Sequence, residues 1–142
     1  MTIENLNKIL DSYWAKGWDG YCRFDEGWSD LVGELHNKIL NIDPNYKIHQ
    51  IKEKFGVLRF YYESLLIENQ FHNEEIDNII EDYVKKSREI CEICGAKGRP
   101  AKLGYRYKTC CEDCMVEYMQ EHPSVKCMFV AELIKPIILE KK

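Results

Sequence analysis

Two Cys-x-x-Cys pairs, Cys91-Glu92-Ile93-Cys94 and Cys111-Glu112-Asp113-Cys114, stand sixteen residues apart toward the C-terminal end of the chain. Two residues between thiolates let both sulfurs face one ion from a tight turn, and Gly95, directly after the first pair, eases that turn. Two such knuckles complete a tetrahedral four-sulfur shell with the spacing of a structural zinc site. The chain is therefore expected to hold one structural zinc ion on Cys91, Cys94, Cys111 and Cys114. An iron–sulfur cluster draws on the same ligand type, but the paired-knuckle spacing favours zinc. Cys110 is an alternative to Cys111; choosing it would turn the second pair into the less usual Cys-x-x-x-Cys. A four-thiolate shell leaves no open position for water or substrate, so the metal is expected to fold the chain rather than to catalyse.

The seven cysteines include five between residues 91 and 114, an odd and clustered count unlike a secreted disulfide framework. Cys22 and Cys127 have no ligand spacing and read as small buried hydrophobes. The first residues lack the basic start and apolar core of a signal peptide, and no apolar run reaches the ~18 residues of a membrane helix. The expectation from these features is a reducing cytosol, away from membranes. With 142 residues, 45% of them apolar, one compact domain is expected.

Periodicity gives an α+β fold: N-terminal helices, a β-hairpin and a third helix, packed with a C-terminal zinc-knuckle module. Residues 2–16 carry Ile3, Leu6, Ile9, Leu10, Tyr13 and Trp14 at helical spacing, with Thr2 as cap and Gly17 as stop. A glycine- and aromatic-rich loop over residues 17–28 follows. Ser29 is the expected cap of a second helix, which Asp43-Pro44 ends. Residues 46–63 form a hairpin around Lys54-Phe55-Gly56, although alternation in its first arm is imperfect. Asn73 caps a third helix running from Glu74 to Ile90, with acids at its start and bases at its end, as the helix dipole favours. A short helix over Cys111–Glu121 stops before Pro123, and the apolar tail Val125–Leu139 reads first as a core strand or docking segment and second as a self-association or partner surface. The division is 1–90 for the helical and hairpin part and 91–142 for the zinc-knuckle module with its tail, together one compact unit.

The net charge of −4 conceals two opposed patches. Residues 60–84 hold seven acids and no Lys or Arg, whereas residues 95–109 hold five bases and no acid. The acidic run reads first as a solvated helix face and second as a surface for a basic partner. The basic stretch gives a candidate binding patch of Lys97, Arg99, Lys102, Tyr105, Arg106, Tyr107 and Lys108. Its simpler duty is to offset the charge of four thiolates on one zinc ion.

No catalytic constellation accompanies the cysteines. Zinc-knuckle nucleases of the His-Asn-His kind carry their catalytic histidine between the knuckles, and residues 95–110 contain none. A phosphate-binding glycine loop, His-Glu-x-x-His and Gly-x-Ser-x-Gly are all missing. The lone histidines (His36, His49, His72 and His122) read as structural or surface residues, and the chain as a non-enzyme.

Three stretches carry a resemblance: Gly27-Trp28-Ser29-Asp30-Leu31-Val32, Ile51-Lys52-Glu53-Lys54-Phe55-Gly56-Val57-Leu58-Arg59-Phe60-Tyr61, and Cys91-Glu92-Ile93-Cys94-Gly95-Ala96-Lys97-Gly98. This layout, over residues 17–115, resembles a family of small zinc-knuckle proteins encoded by bacteriophages, prophages and bacteria. In that family the second knuckle often reads Thr-Leu-Cys with a histidine after two further residues. Thr109-Cys110-Cys111 matches with Cys110 in the leucine place, which supports Cys111 as ligand, and Cys114 stands where the histidine would be. Val57, where a small residue is common, and the long tail after Pro123 are departures. The resemblance implies a phage or mobile-element context without a particular activity. The expected function is binding to another protein, such as a host defence component that it inhibits or modulates. The alternative is a nucleic-acid-binding zinc module using residues 97–108, its bases on phosphates and its tyrosines stacked on bases.

Overall fold

The computed structural model describes residues 1–130 and has an α+β fold of four helices and two small antiparallel sheets. The order is α1 (Ile3–Leu10), α2 (Ser29–Ile42), β1 (Lys47–Lys54), β2 (Val57–Glu63), α3 (Glu74–Ser87), β3 (Arg99–Leu103), β4 (Arg106–Cys110), α4 (Glu112–Glu121) and β5 (Cys127–Phe129). β1 and β2 form a hairpin, and the second sheet has the order β4-β3-β5.

Around the hairpin, Leu6 and Leu10 of α1, Leu35 and Ile39 of α2, Ile48 and Ile51 of β1, Leu58 of β2 and Ile76 of α3 are all fully buried. A second apolar cluster gathers Ala101, Leu103, Met115 and Phe129 beside the cysteines. The imperfect alternation in the first arm of the hairpin has a physical cause. A bulge between Ile48 and Gln50 inserts one residue, so Ile48 and Ile51 face the same core despite their odd spacing.

Several boundaries differ from the sequence expectation. The α1 helix ends at Leu10 and continues only as a single 3-10 turn, Asp11–Tyr13. Trp14 is extended and bridges to Ile48, and the Ala15 N–H donates to the Ile48 carbonyl at 2.8 Å. Pairing with the edge of β1 wins over another helical turn in a segment of weak helix formers, Asp11 and Ser12. Thr2 caps α1 as expected, its hydroxyl accepting from the Asn5 N–H at 3.1 Å. Ser29 does not cap α2: it lies inside the first turn, buried, and Trp28 occupies the cap position. The α3 helix stops at Ser87, whose hydroxyl donates to the Val84 carbonyl and accepts from the Leu58 N–H, tying the helix end to β2. Ile90 leaves the helix and bridges to Lys97. In the tail, Cys127–Phe129 is a strand, and the remainder of that expectation, from residue 131 on, lies outside the described residues.

His36 is a buried structural histidine, its Nδ1 hydrogen-bonded to the Tyr46 hydroxyl at 2.5 Å and its ring edge-on to Tyr13. Burial lowers its pKa below the ordinary 6.5. A lowered folded-state value means the unfolded chain binds the proton more readily. The stabilisation is therefore complete above pH ~6.5 and is lost as pH falls through the folded value. His36→Gln, which keeps a partner for Tyr46, should flatten part of the decline in urea midpoint between pH 7 and pH 5. An unchanged pH slope would show that His36 does not contribute.

Candidate metal centre

The first knuckle follows α3 through a tight turn. The Gly95 N–H donates to the Cys91 carbonyl at 2.9 Å, and Gly95 takes φ +84°, a conformation glycine adopts without strain. The second knuckle is built by the start of α4. Cys111 is the N-cap residue, and its sulfur accepts from the Cys114 N–H at 3.4 Å. A helix N-terminus is a favourable place for a thiolate, because backbone donors and the helix dipole both stabilise negative charge there.

These two pieces bring Cys91, Cys94, Cys111 and Cys114 together, with all four sulfurs within 4.8 Å of one another, a set that could hold a metal ion. Cys94 and Cys111 Sγ are 3.6 Å apart. A tetrahedron of ~2.3 Å metal–sulfur bonds has edges of about 3.8 Å, so the donors match the size of a single small ion in chemistry and in spacing.

Cys110 stands outside this set. Its side chain is fully buried, and its thiol contacts the Cys111 carbonyl oxygen at 3.2 Å. A hydrogen bond from Cys110 holds Cys91 down to about 3, below the ordinary thiol range, although burial acts upward. The same contact, together with burial, raises Cys110. Cys22 is buried, and desolvation pushes its thiol up to about 12, whereas Cys127 is half-buried on β5.

The knuckles are also the seam between the two apolar clusters. The Gly27 N–H donates to the Glu92 carbonyl at 2.7 Å, Trp28 Nε1 donates to the Ile90 carbonyl at 2.9 Å, and the Asp25 N–H donates to Glu92 Oε2 at 2.9 Å. A methyl group on Gly27 would lie 2.2 Å from the Cys91 carbonyl oxygen, so no other residue fits there without moving the knuckle. From the hairpin, the Gly56 carbonyl accepts the Thr109 hydroxyl at 2.8 Å. Phe55 (φ +54°) and Gly56 (φ +77°) make a two-residue turn with both φ positive, and a side chain on Gly56 would crowd the Lys108 backbone at 3.0 Å.

Lys108 does not belong to the exposed basic patch. It is buried, with Nζ 2.6 Å from Asp25 Oδ2 and 3.2 Å from Glu92 Oε1. Along β4, Arg106 and Tyr107 are exposed while Lys108, Thr109 and Cys110 are buried, so Lys108 lies in the half of the strand that packs against the knuckle. Burial raises the Glu92 carboxyl above its ordinary value, with Lys108 opposing. On Lys108 burial acts downward, but Asp25 and Glu92 outweigh it and hold the ammonium above its ordinary value. Its charge therefore serves two carboxylates.

The other candidate binding residues lie on the hairpin of β3 and β4 and the approach to it. Lys97, Arg99, Tyr105, Arg106 and Tyr107 are exposed and Lys102 is half-buried. The Arg99 guanidinium sits 3.7 Å over the Phe129 ring, and Lys102 lies over Tyr107. This hairpin escaped the sequence reading because its bases drew attention as charge. Its signal was the alternation Ala101-Lys102-Leu103 followed by Gly104, which has φ +67°. Asp25, Gly27, Glu92 and Thr109 were also missed, since nothing local marks a residue whose partner lies far along the chain.

No helix among the described residues is long and apolar enough to cross a membrane. No family model, no curated protein and no solved structure matches the chain.

Proposed function

We propose that this chain is a zinc-stabilised binding protein with no reaction of its own, acting on a protein partner in the bacterial cytosol. The observation that carries this is the position of the four sulfurs. The four lie within 4.8 Å of one another, on the backbone segments that join the two apolar clusters, and four thiolates on one ion would complete its tetrahedral shell and leave no open position for substrate. Bound there, the ion supplies folding energy and a fixed geometry, and zinc suits a dense all-sulfur set better than a multi-iron cluster, which needs room for several atoms. Exposed aromatic side chains, Trp18, Tyr105 and Phe71 among them, are of a type enriched at protein interfaces. The resemblance to phage and prophage zinc-knuckle proteins supports the role of an accessory factor that inhibits or redirects a host protein, such as a defence component. Retention of a specific host protein by the zinc-loaded chain tests this, and failure to retain any across several bacterial hosts would overturn it.

Nucleic-acid binding is the second reading, favoured by the exposed Arg99, Arg106, Tyr105 and Tyr107 on one hairpin. With Lys108 committed inside, the patch is smaller than the sequence suggests, and the chain as a whole is acidic. Affinity for DNA or RNA at ~150 mM salt should accordingly be negligible. Binding tighter than ~1 μM there, with a salt slope that drops by roughly two to three units in a Lys97→Ala, Arg99→Ala, Lys102→Ala variant, would establish the second reading instead.

A further inference from the structure

The segment between β2 and α3 exposes four large apolar side chains in succession: Leu65 at 72%, Leu66 at 50%, Ile67 at 44% and Phe71 at 67% of their surface. This is not a loose linker. The Ser64 N–H donates to the Phe71 carbonyl at 2.7 Å, closing the base of the loop. Ser64 itself is buried and its hydroxyl donates to Asp43 Oδ2 at 2.7 Å. On the other side, the Tyr62 hydroxyl accepts from the Asn73 N–H and donates toward Asp77. Asn69, at φ +64°, and a Gln70 N–H to Ile67 carbonyl bond shape the tip. Such a closed loop is a compact unit held by its own ends. It presents apolar groups that the core does not use, and contiguous exposed apolar surface marks an interaction site.

Charge restricts what can dock there. Glu68 lies within the loop and Glu74 and Glu75 at its exit, all exposed, and no Lys or Arg occurs between residues 60 and 84. Nucleic acid and anionic lipid are repelled by this rim. A segment with apolar groups flanked by cations matches both properties at once.

We propose that the loop 64–72 is the docking surface of this protein, and that its partner presents a cationic amphipathic helix, with Leu65, Leu66, Ile67 and Phe71 against its apolar face and Glu68, Glu74 and Glu75 against its Lys or Arg residues. This rests on the protein-binding function proposed above and specifies where and what it binds. The hydrogen bonds that hold the loop run within it and to Asp43 and Asp77, not to the cysteines, so its alteration is expected to leave metal content unchanged.

The test titrates a synthetic amphipathic helix of leucine and lysine into the zinc-loaded full chain, beside the same peptide with glutamate at every lysine position. The lysine peptide should bind in the ~10 μM range and weaken at least about tenfold from 50 to 500 mM salt, with no binding of the glutamate peptide. Leu65→Ser with Phe71→Ser should weaken it at least about tenfold, as should Glu68→Gln with Glu74→Gln and Glu75→Gln. These side chains are exposed, so both variants should keep the wild-type zinc content; the first should keep the melting temperature and the second lower it by only a few degrees, through loss of two charges at the start of α3, while leaving the apolar groups intact. No binding of the lysine peptide, or equal binding by both variants, overturns the docking site while leaving capture of a host protein to judge the broader function. Loop-dependent partition onto phosphatidylcholine vesicles, without peptide binding, would assign the loop to a lipid surface and overturn the proposal.

Discussion

Serine in place of Cys91, Cys94, Cys111 or Cys114 is expected to abolish zinc binding and unfold the C-terminal part of the protein. Wild-type protein should contain about one zinc per chain by elemental analysis, and each variant close to none. The effect is large because structural zinc contributes roughly 10–16 kcal/mol in small zinc peptides, as much as the ~5–15 kcal/mol total stability of an ordinary domain. A thermal melt should therefore show loss of the cooperative transition rather than a shift of a few degrees. Cys110→Ser is the internal control. Its sulfur lies outside the four-sulfur set, so the variant should keep its metal at a modest cost for altering a buried residue. Metal loss in Cys110→Ser with retention in Cys111→Ser would reverse the ligand assignment.

Lys108→Met should be the most damaging substitution away from the cysteines, at about 3–5 kcal/mol. The side chain of Glu92 is only 3% exposed, and removal of Lys108 leaves a buried carboxylate without its cation. Adding Glu92→Gln should recover part of that loss, since the amide removes the charge and still offers an oxygen to the Asp25 N–H. Urea denaturation of the two single variants and the double variant, all zinc-loaded, gives the coupling directly. Additive losses, within about 0.5 kcal/mol, would show that the buried pair is not a unit.

The parts of this molecule that were legible in the sequence are those written in short-range pattern. The cysteine spacing brought the four sulfurs into view, and helical periodicity placed α2 and most of α3. Thr2 and Asn73 were recognisable as caps, because a cap bonds within three residues of itself. Where reading failed, a distant partner had decided the outcome. Trp14 left its helical pattern to pair with β1, and Ile90 left its own to meet Lys97. Lys108 looked like one base among five until β4 turned it toward Asp25 and Glu92. Composition describes how many charges a segment has, and strand register decides which of them meet water.

The seam between the two clusters also has a consequence in time. Asp25 is bonded to Glu92, a residue 67 positions later. On a ribosome adding roughly 5–20 residues per second, the loop over residues 17–28 waits about 3–13 s for the knuckle that completes it. Until then its backbone donors at Asp25 and Gly27 and the Trp28 indole are unmatched, however well the hairpin and helices have formed. If the four cysteines take up a metal ion, final closure also depends on an ion arriving from outside the chain, so metal supply then bears on when this loop reaches its finished form.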